Sequence, residues 1–324
     1  MKIPFSRALV PAVFATSLML GAAVPASVAA QTFPDKPLRL VTAYPPGGGT
    51  SLHASIITAV AEQHFGQPMI SVIRAGGGGV VGATEVVRSP ADGYTMLFGD
   101  PTINTLRPQV EKLPFKVDDF VPVARINYSP VIFVASPKAP FNDLKGMIDF
   151  AKSKPGELVY SSDNLNGLTY VAFEMLKLRS GTRMRGVELG GGGPAITQLL
   201  GGNTLAYAGL PVVVGDHIKS GAVKALCVTD DVRLDAFKDI PTCAEAGAPI
   251  VWRFWLGAMA PKGTPPERIA VLSDGFRKMV ADKGFQALIT RIGSKTDYLD
   301  HKAFAEVLAK EAEDLRTLYA AIKK

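Results

Sequence analysis

Tyr44-Pro45-Pro46-Gly47-Gly48-Gly49-Thr50-Ser51 is the stretch on which the reading of this chain turns. Before it, Leu38-Arg39-Leu40-Val41-Thr42-Ala43 has the aliphatic and β-branched content of a strand. After it, apolar residues at Leu52, Ile56, Ala59 and Val60 give the spacing of a helix with one buried face, to about His64. A strand, a glycine-rich bend and a helix start bring unpaired backbone N–H groups together. The helix dipole adds partial positive charge there, so the place suits an anion. A tight strand-to-helix turn that needs glycine for φ > 0 would use the same residues, and the rest of the chain decides between the two.

The first thirty residues of the 324 read as a leader, not as fold. Lys2 and Arg7 give a basic start, Ala8 to Gly21 an apolar run and Val28-Ala29-Ala30 a small-residue cleavage site, so a signal peptide over 1–30 is expected to leave near Gln31. A signal anchor fits less well, because Pro11 interrupts the run, and a lipoprotein would need a Cys near the cleavage site. No later stretch approaches the roughly eighteen continuous apolar residues of a membrane span. The remaining length exceeds what one core usually serves, which favours two lobes. The formal charge of +6 becomes +4 once Lys2 and Arg7 leave. No basic run interleaved with aromatics is present, so nucleic acid is not expected as a partner. A mild positive excess is compatible with an anionic small ligand. Cys227 and Cys243 are the two cysteines. In an oxidising compartment they can pair, and two small buried thiols are the equal alternative.

Downstream the strand-loop-helix unit repeats. Met69 to Ile73 reads as a second strand, and Gly77, Gly79 and Gly82 after it satisfy G-x-G-x-x-G, with Asp100 at a plausible distance for a ribose-binding acid. The match follows the second strand and arises within a run of four glycines, and an exported protein seldom meets free NAD. No cofactor is expected. Tyr94 to Phe98 is a third strand ending in Gly99-Asp100-Pro101-Thr102. In open α/β sheets, ligands sit outside such carboxyl ends.

A second series starts near Pro130. It contains a strand at Val131–Ala135, then a helix capped by Asn142 or Asp143 and running to Ser153. A strand at Leu158–Tyr160 follows, and its loop from Ser161 to Gly167 aims at a helix from Leu168 to Leu178. Next come a strand at Met184–Leu189, the glycines Gly190 to Gly193 opening a helix at Ala195–Leu200, and a strand at Leu205–Ala208. Gly209-Leu210-Pro211 then bends into a helix near Val212–Ile218, followed by a strand at Val223–Val228. The tail reads as a strand at Trp252–Ala260, a helix to about Ala281, a shorter helix, and an amphipathic helix at Phe304–Ile322. The pattern predicts an α/β protein of two doubly wound lobes around a ligand cleft. Residues 31–129 and 231–324 are expected in lobe one and 130–230 in lobe two.

Several segments in order carry a resemblance: PPGGGTS at Pro45–Ser51, ADGYTMLFG at Ala91–Gly99, LPFKVDDFVPVARI at Leu113–Ile126, KPGELVYSS at Lys154–Ser162, GGGPAITQLLGG at Gly191–Gly202, GLP at Gly209–Pro211, IPTCAEAG at Ile240–Gly247 and APKGTPPE at Ala260–Glu267. In order and spacing the chain resembles the Bug-type substrate-binding proteins of tripartite tricarboxylate transporters, over essentially all of it beyond the leader. The resemblance implies a periplasmic binding protein, a monomer that closes on a small-molecule carboxylate and hands it to membrane permease subunits. It implies a ligand held by backbone N–H groups, hydroxyls and waters, with few charged side chains. Carried over, Gly47, Gly48, Gly49 and Thr50, with Tyr44 and Ser51 beside them, form the first ligand-facing loop. Thr102 and the Ser161–Thr169 loop (Ser161, Ser162, Gly167 and Thr169 among it) supply further contacts, and Gly191, Gly192 and Gly193 with Gly209 to Pro211 line the other lobe. Charge-assisted N–H bonds contribute on the order of 1.5–3 kcal/mol each, so such a cleft needs no arginine.

The chain departs from the family pattern in ways that remove polar partners. Ser51 stands where Asp is frequent, Gly167 and Leu168 where a Ser/Thr pair is common, and Ala208 where Asp is frequent. Leu189 to Gly193 lacks the usual aromatic and hydroxyl. A pocket with fewer hydroxyls satisfies fewer ligand oxygens, which predicts an acid less polar than citrate, aromatic or medium-chain. Tyr44, Tyr170 and Trp255 are candidates to pack on it, or else belong to the lobe cores. Two rival functions are a secreted hydrolase and a receptor that presents its ligand to a membrane sensor. Against the hydrolase, His53, His64, His217 and His301 show no metal-ligand spacing, and neither a G-x-S-x-G elbow nor H-E-x-x-H is present. No catalytic or metal-binding residue is expected.

Overall fold

A computed structural model describes residues 33–322 (with Met1 and Pro4), and side chains through residue 320. The expected leader lies outside the described residues. Within Phe33–Lys324 the chain forms a single compact unit built on two mixed sheets. In chain order the strands are β1 (Leu38–Thr42), β2 (Met69–Ile73), β3 (Thr95–Gly99), β4 (Phe120–Pro130), β5 (Ile132–Ala135), β6 (Val159–Ser162), β7 (Arg185–Glu188), β8 (Ala206–Gly209), β9 (Lys224–Val228), β10 (Arg253–Pro261) and β11 (Lys295–Asp300). The first sheet has the order β11-β4-β10-β3-β1-β2 and the second β7-β6-β8-β5-β9.

Each sheet is parallel where its loops matter and antiparallel where the chain crosses over. β1 runs parallel to β2 and β3, and β6 parallel to β7 and β8. β10 is antiparallel to β3 and β4, and β5 antiparallel to β8 and β9. The parallel strands are followed by helices, so their loops open on one edge, as in other α/β sheets. The chain leaves the first sheet after Pro130 and returns to it at Arg253. The two crossings are tied together: Thr229 N donates to Val131 O (2.9 Å), Thr229 Oγ1 to Trp252 O (2.8 Å) and Trp252 N to Thr229 O (3.0 Å).

Local chemistry accounts for most element limits. Asp143 caps the helix Leu144–Ser153 by accepting from Gly146 N at 2.7 Å, and Asp282 caps Lys283–Arg291 through Phe285 N at 2.8 Å. Pro211 occupies the first turn of the helix Pro211–Lys219, where its missing N–H has no partner to lose. Cys227 and Cys243 form a disulfide, which joins β9 to the segment whose Thr242 bridges Val228.

Two elements differ from the sequence reading. β11 lies between the two C-terminal helices where no strand was expected. It is a half-buried edge strand, Lys295-Thr-Asp-Tyr-Leu-Asp300, with polar residues through it and a broken register on β4. A sequence so polar carries little strand signal. The second difference is a π-helical turn, Thr102–Leu106, in place of a loop after β3. Asp100 anchors its start by accepting from Thr102 N (2.8 Å) and Ile103 N (3.1 Å). Among the described residues no helix is long and apolar enough to cross a membrane.

Candidate functional site

After β1, the chain turns through Gly47 at φ 79° and enters the helix Gly49–Val60. Its N-cap is Gly48, whose backbone is extended and which has no side chain to offer. Ser51 donates its hydroxyl to Gly48 O at 2.8 Å, so it does not cap the first amides either. In the second sheet, the loop after β7 leads through Gly190 and Gly191 into the helix Gly192–Gly201, whose N-cap Gly191 likewise provides no side-chain acceptor. Two helices therefore begin with amides that no capping side chain satisfies.

Both starts open on one cavity of about 40 Å³, lined by Tyr44, Gly48, Gly49 and Thr50 from the first sheet's loops and by Gly191 and Gly192 from the second's. A buried water needs roughly 10–15 Å³ on this scale, so the space is compact. The remaining lining is Leu168, Tyr207, Leu210, Val213, Phe254 and one ionisable acid, Asp163. Among the described residues no lysine or arginine lines it. What polar attraction the walls offer an anion comes from backbone amides and the Thr50 and Tyr207 hydroxyls.

The glycines also set how close the two sides approach. A β-carbon at Gly49 would lie 2.5 Å from Leu210 Cδ1 on the facing side. One at Gly191 would lie 2.8 Å from Pro45 Cγ, and one at Gly193 would lie 3.4 Å from Pro46 O. Glycine here lets the backbone approach the Leu210 and Pro45 side chains and the Pro46 carbonyl across the cleft.

Tyr44 is fixed from behind. Its hydroxyl donates to Asp100 Oδ2 at 2.7 Å, while Asp100 Oδ1 accepts from Thr102 N and Thr102 Oγ1 (2.6 Å). Burial pushes the Asp100 carboxyl up and holds the Tyr44 phenol well above the usual range. Asp100 thus positions the aromatic wall, and Thr102 belongs to that support and does not line the cavity. On the other side Asp163 Oδ2 accepts from Leu168 N at 3.0 Å and Oδ1 from Thr169 N at 3.1 Å, at the start of the helix Leu168–Ser180. Burial raises its pKa to about 6.

Of the residues singled out from sequence, Tyr44, Gly48, Gly49, Thr50, Gly191 and Gly192 line the cavity. The others stand behind or beside it. Gly47 makes the bend, and Ser51 bonds within the helix. Ser161 pairs with Thr204 Oγ1 at 2.7 Å, and Ser162 donates to Asn164 O at 3.2 Å. Thr169 donates its hydroxyl to Ala208 O at 2.8 Å, Gly167 precedes the helix, Gly193 faces Pro46, and Gly209 ends β8. Trp255 bonds Glu311 and packs edge-on against Phe304, within the core, and Tyr170 packs partly buried against it. The segments expected to line the cleft, Ser161–Thr169 and Gly209–Pro211, also bring Asp163, Leu168 and Leu210 to the cavity, whereas sequence reasoning passed over Tyr207, Val213 and Phe254. Asp163 carries a weak signal, an acid just ahead of a helix, but the cap position itself is Gly167.

Two mixed α/β sheets whose helix-starting loops face each other across one cavity define a two-lobed solute receptor of the periplasmic binding protein type. The chain is such a receptor and not an enzyme. Its membership is specific: residues 54–323 match the Tripartite tricarboxylate transporter family receptor, and the chain belongs to that family. It is 34% identical over 270 residues to Protein BugT of Bordetella pertussis, a match covering 81% of this chain and 82% of BugT. Among solved structures it is similar to MatC (Rpa3494) from Rhodopseudomonas palustris with bound malate, at 25% identity and a TM-score of 0.83, covering 88% and 99% of the two chains. It shares its fold with R. palustris Rpa4515 with adipate, at 24% identity and a TM-score of 0.85 over 90% and 98%.

Proposed function

We propose that this chain is the periplasmic receptor that closes two lobes on an organic carboxylate and delivers it, as a monomer, to the membrane permease subunits of a tripartite tricarboxylate transporter. On this reading the leader is removed near Gln31, residues 31–129 and 231–324 form lobe one, and 130–230 form lobe two. The chain's passage between sheets after Pro130 and its return at Arg253 support that division. The observation that carries the binding chemistry is a cavity entered by two uncapped helix N-termini and lined by no cation. Donors of that kind attract a carboxylate and cost no reorganisation when it arrives. The related MatC structure with malate supports the same ligand class.

The ligand is an acid less polar than citrate, aromatic or medium-chain. Leu168, Leu210, Val213, Phe254 and the rings of Tyr44 and Tyr207 make most of the wall apolar. Additional ligand hydroxyls or carboxylates would lose water there without gaining partners. Calorimetric titration with benzoate, hexanoate, malate and citrate tests this. Saturable binding of benzoate or hexanoate is expected, with citrate at least tenfold weaker; tight binding of citrate alone refutes it. Saturation of a site at a hundred times its dissociation constant adds about 2.7 kcal/mol of stability, so a thermal shift gives a second readout.

A further inference from the structure

We propose that Asp163 restricts this receptor to monocarboxylates by occupying, with its own carboxylate, the helix N-terminus that a second ligand carboxylate would need. The inference rests on the cavity being the carboxylate site proposed above. Four helices start at its wall: Gly49–Val60, Leu168–Ser180, Gly192–Gly201 and Pro211–Lys219. The last begins with a proline, which has no N–H, and its Val213 and Val214 amides donate to Leu210 O at 2.8 and 3.2 Å. The two that begin at a glycine are left uncapped by side chains. Leu168–Ser180 is capped from outside its own N-cap position, because Gly167 has no side chain and Asp163 reaches in to take both the Leu168 and Thr169 amides.

The seat is built for that acid. A β-carbon at Gly167 would fall 2.7 Å from Asp163 Oδ1 and 2.8 Å from Oδ2, so the carboxylate fits only over a glycine. Asp163 is also part of the cavity wall, where no lysine or arginine offsets it. Although burial raises its pKa to about 6, it is mostly ionised at neutral pH. One ligand carboxylate therefore has two free helix starts to receive it. A second would meet a fixed negative charge and amides already taken. Like charges roughly 6–12 Å apart at an effective dielectric of about 20 change a binding constant on the order of 10- to 100-fold.

Hexanoate and adipate form the discriminating pair, since they share a chain length and differ by one carboxylate. Both are titrated at pH 7.5 into the wild-type receptor, Asp163→Ser and Asp163→Asn, and the ratio of their dissociation constants is read. The wild type is expected to prefer hexanoate by at least about tenfold. Asp163→Ser, which frees the Leu168 and Thr169 amides, should shift the ratio towards adipate by about tenfold or more, and Asp163→Asn should shift it less in the same direction. Asp163→Asn keeps an acceptor for one amide, so it carries the test if Asp163→Ser does not fold. An unchanged ratio in the folded variants, or a wild type that binds adipate as tightly as hexanoate, overturns the role of Asp163. Saturable wild-type hexanoate binding would still uphold the carboxylate site in those cases. Failure of the wild type to bind either acid would overturn both.

Discussion

Gly49→Ala separates closure of the cleft from stability of the fold. Gly49 is the first residue of its helix, with no left-handed backbone to protect, so alanine there costs no backbone strain. Alanine has the higher helix propensity, by up to about 1 kcal/mol in a helix interior and less in a first turn. The added methyl, however, would stand 2.5 Å from Leu210 Cδ1, 3.1 Å from its Cγ and 3.2 Å from its Cβ. Leu210 follows β8 in the second sheet, so the collision exists only when the two sides meet. Ordinary carbon contacts begin near 3.5 Å, so Leu210 must turn or the sides must stay about an ångström apart.

Turning a side chain off its rotamer costs about 0.5–1.5 kcal/mol, and overpacking a filled site costs about 1–3 kcal/mol. The closed state should thus lose roughly 1–2 kcal/mol, a 5- to 30-fold rise in the dissociation constant. The melting temperature without added ligand should move little, because relief by parting the sides leaves each sheet intact. Gly48→Ala is the control: its β-carbon would meet Pro45 O at 3.5 Å and Gly192 N at 3.9 Å, both ordinary contacts. Calorimetric titration with the tightest acid from the panel, beside melting curves, reads both quantities. Wild-type affinity in Gly49→Ala, or an equal loss in Gly48→Ala, would show that the approach of Gly49 to Leu210 has no part in binding.

Other consequences concern stability and pH. His53 is fully buried between Gly49 O and Ser294 Oγ, both at 2.8 Å, and desolvation lowers its pKa to about 4. Its contribution is present above the unfolded value near 6.5 and lost as pH falls towards 4, worth about 3 kcal/mol in all. Glu311 acts in the opposite sense: burial, against bonds from Trp255 and Thr105, raises it to about 7, so stability is greatest below pH 4.5 and falls as pH rises through 7. Denaturant titrations of Glu311→Gln and the wild type at pH 5 and pH 8 should show the variant losing up to about 3 kcal/mol less over that interval, and parallel losses would refute the assignment. Opening the disulfide with a reductant frees a loop of sixteen residues' separation and should cost about 3 kcal/mol, read from the denaturant midpoint.

The parallel parts of both sheets are legible because each combines a buried aliphatic strand, glycine punctuation and a helix start. β1 into Gly49–Val60 is a case in which all three agree, whereas β7 is exposed throughout and only its glycines and the start of Gly192–Gly201 carry the signal. The crossing strands are harder. β4 runs eleven residues, Phe120–Pro130, and its pairing with β10 and β11 is set by residues more than a hundred positions away. β11 has no local signal at all, for the same reason. Apolar lining such as Phe254 and Val213 is invisible for a different cause: an apolar residue in a strand or a first helical turn reads as core until the facing surface is known. The disulfide stood open in the sequence because sixteen residues of separation fix no distance; the pairing of Cys243 N with Val228 O is what brings the thiols together.

The glycine runs show how one composition can answer two demands. An anion cradle needs backbone amides unscreened by β-carbons, and that alone would explain Gly47 to Gly49 and Gly191 to Gly193. The contacts of Gly49 with Leu210 and Gly191 with Pro45 add a second demand, since these pairs leave no room for a methyl when the sides meet. The two are linked in energy. Amides in a closed, low-dielectric cleft attract a carboxylate more strongly than the same amides in water, and closure is possible only if the groups that carry them are bare. A receptor built this way gains ligand affinity and lobe contact from the same atoms. Substitutions at Gly49 and Gly191 should therefore weaken binding even where every amide donor is kept, which a receptor gripping its acid through arginine would not show.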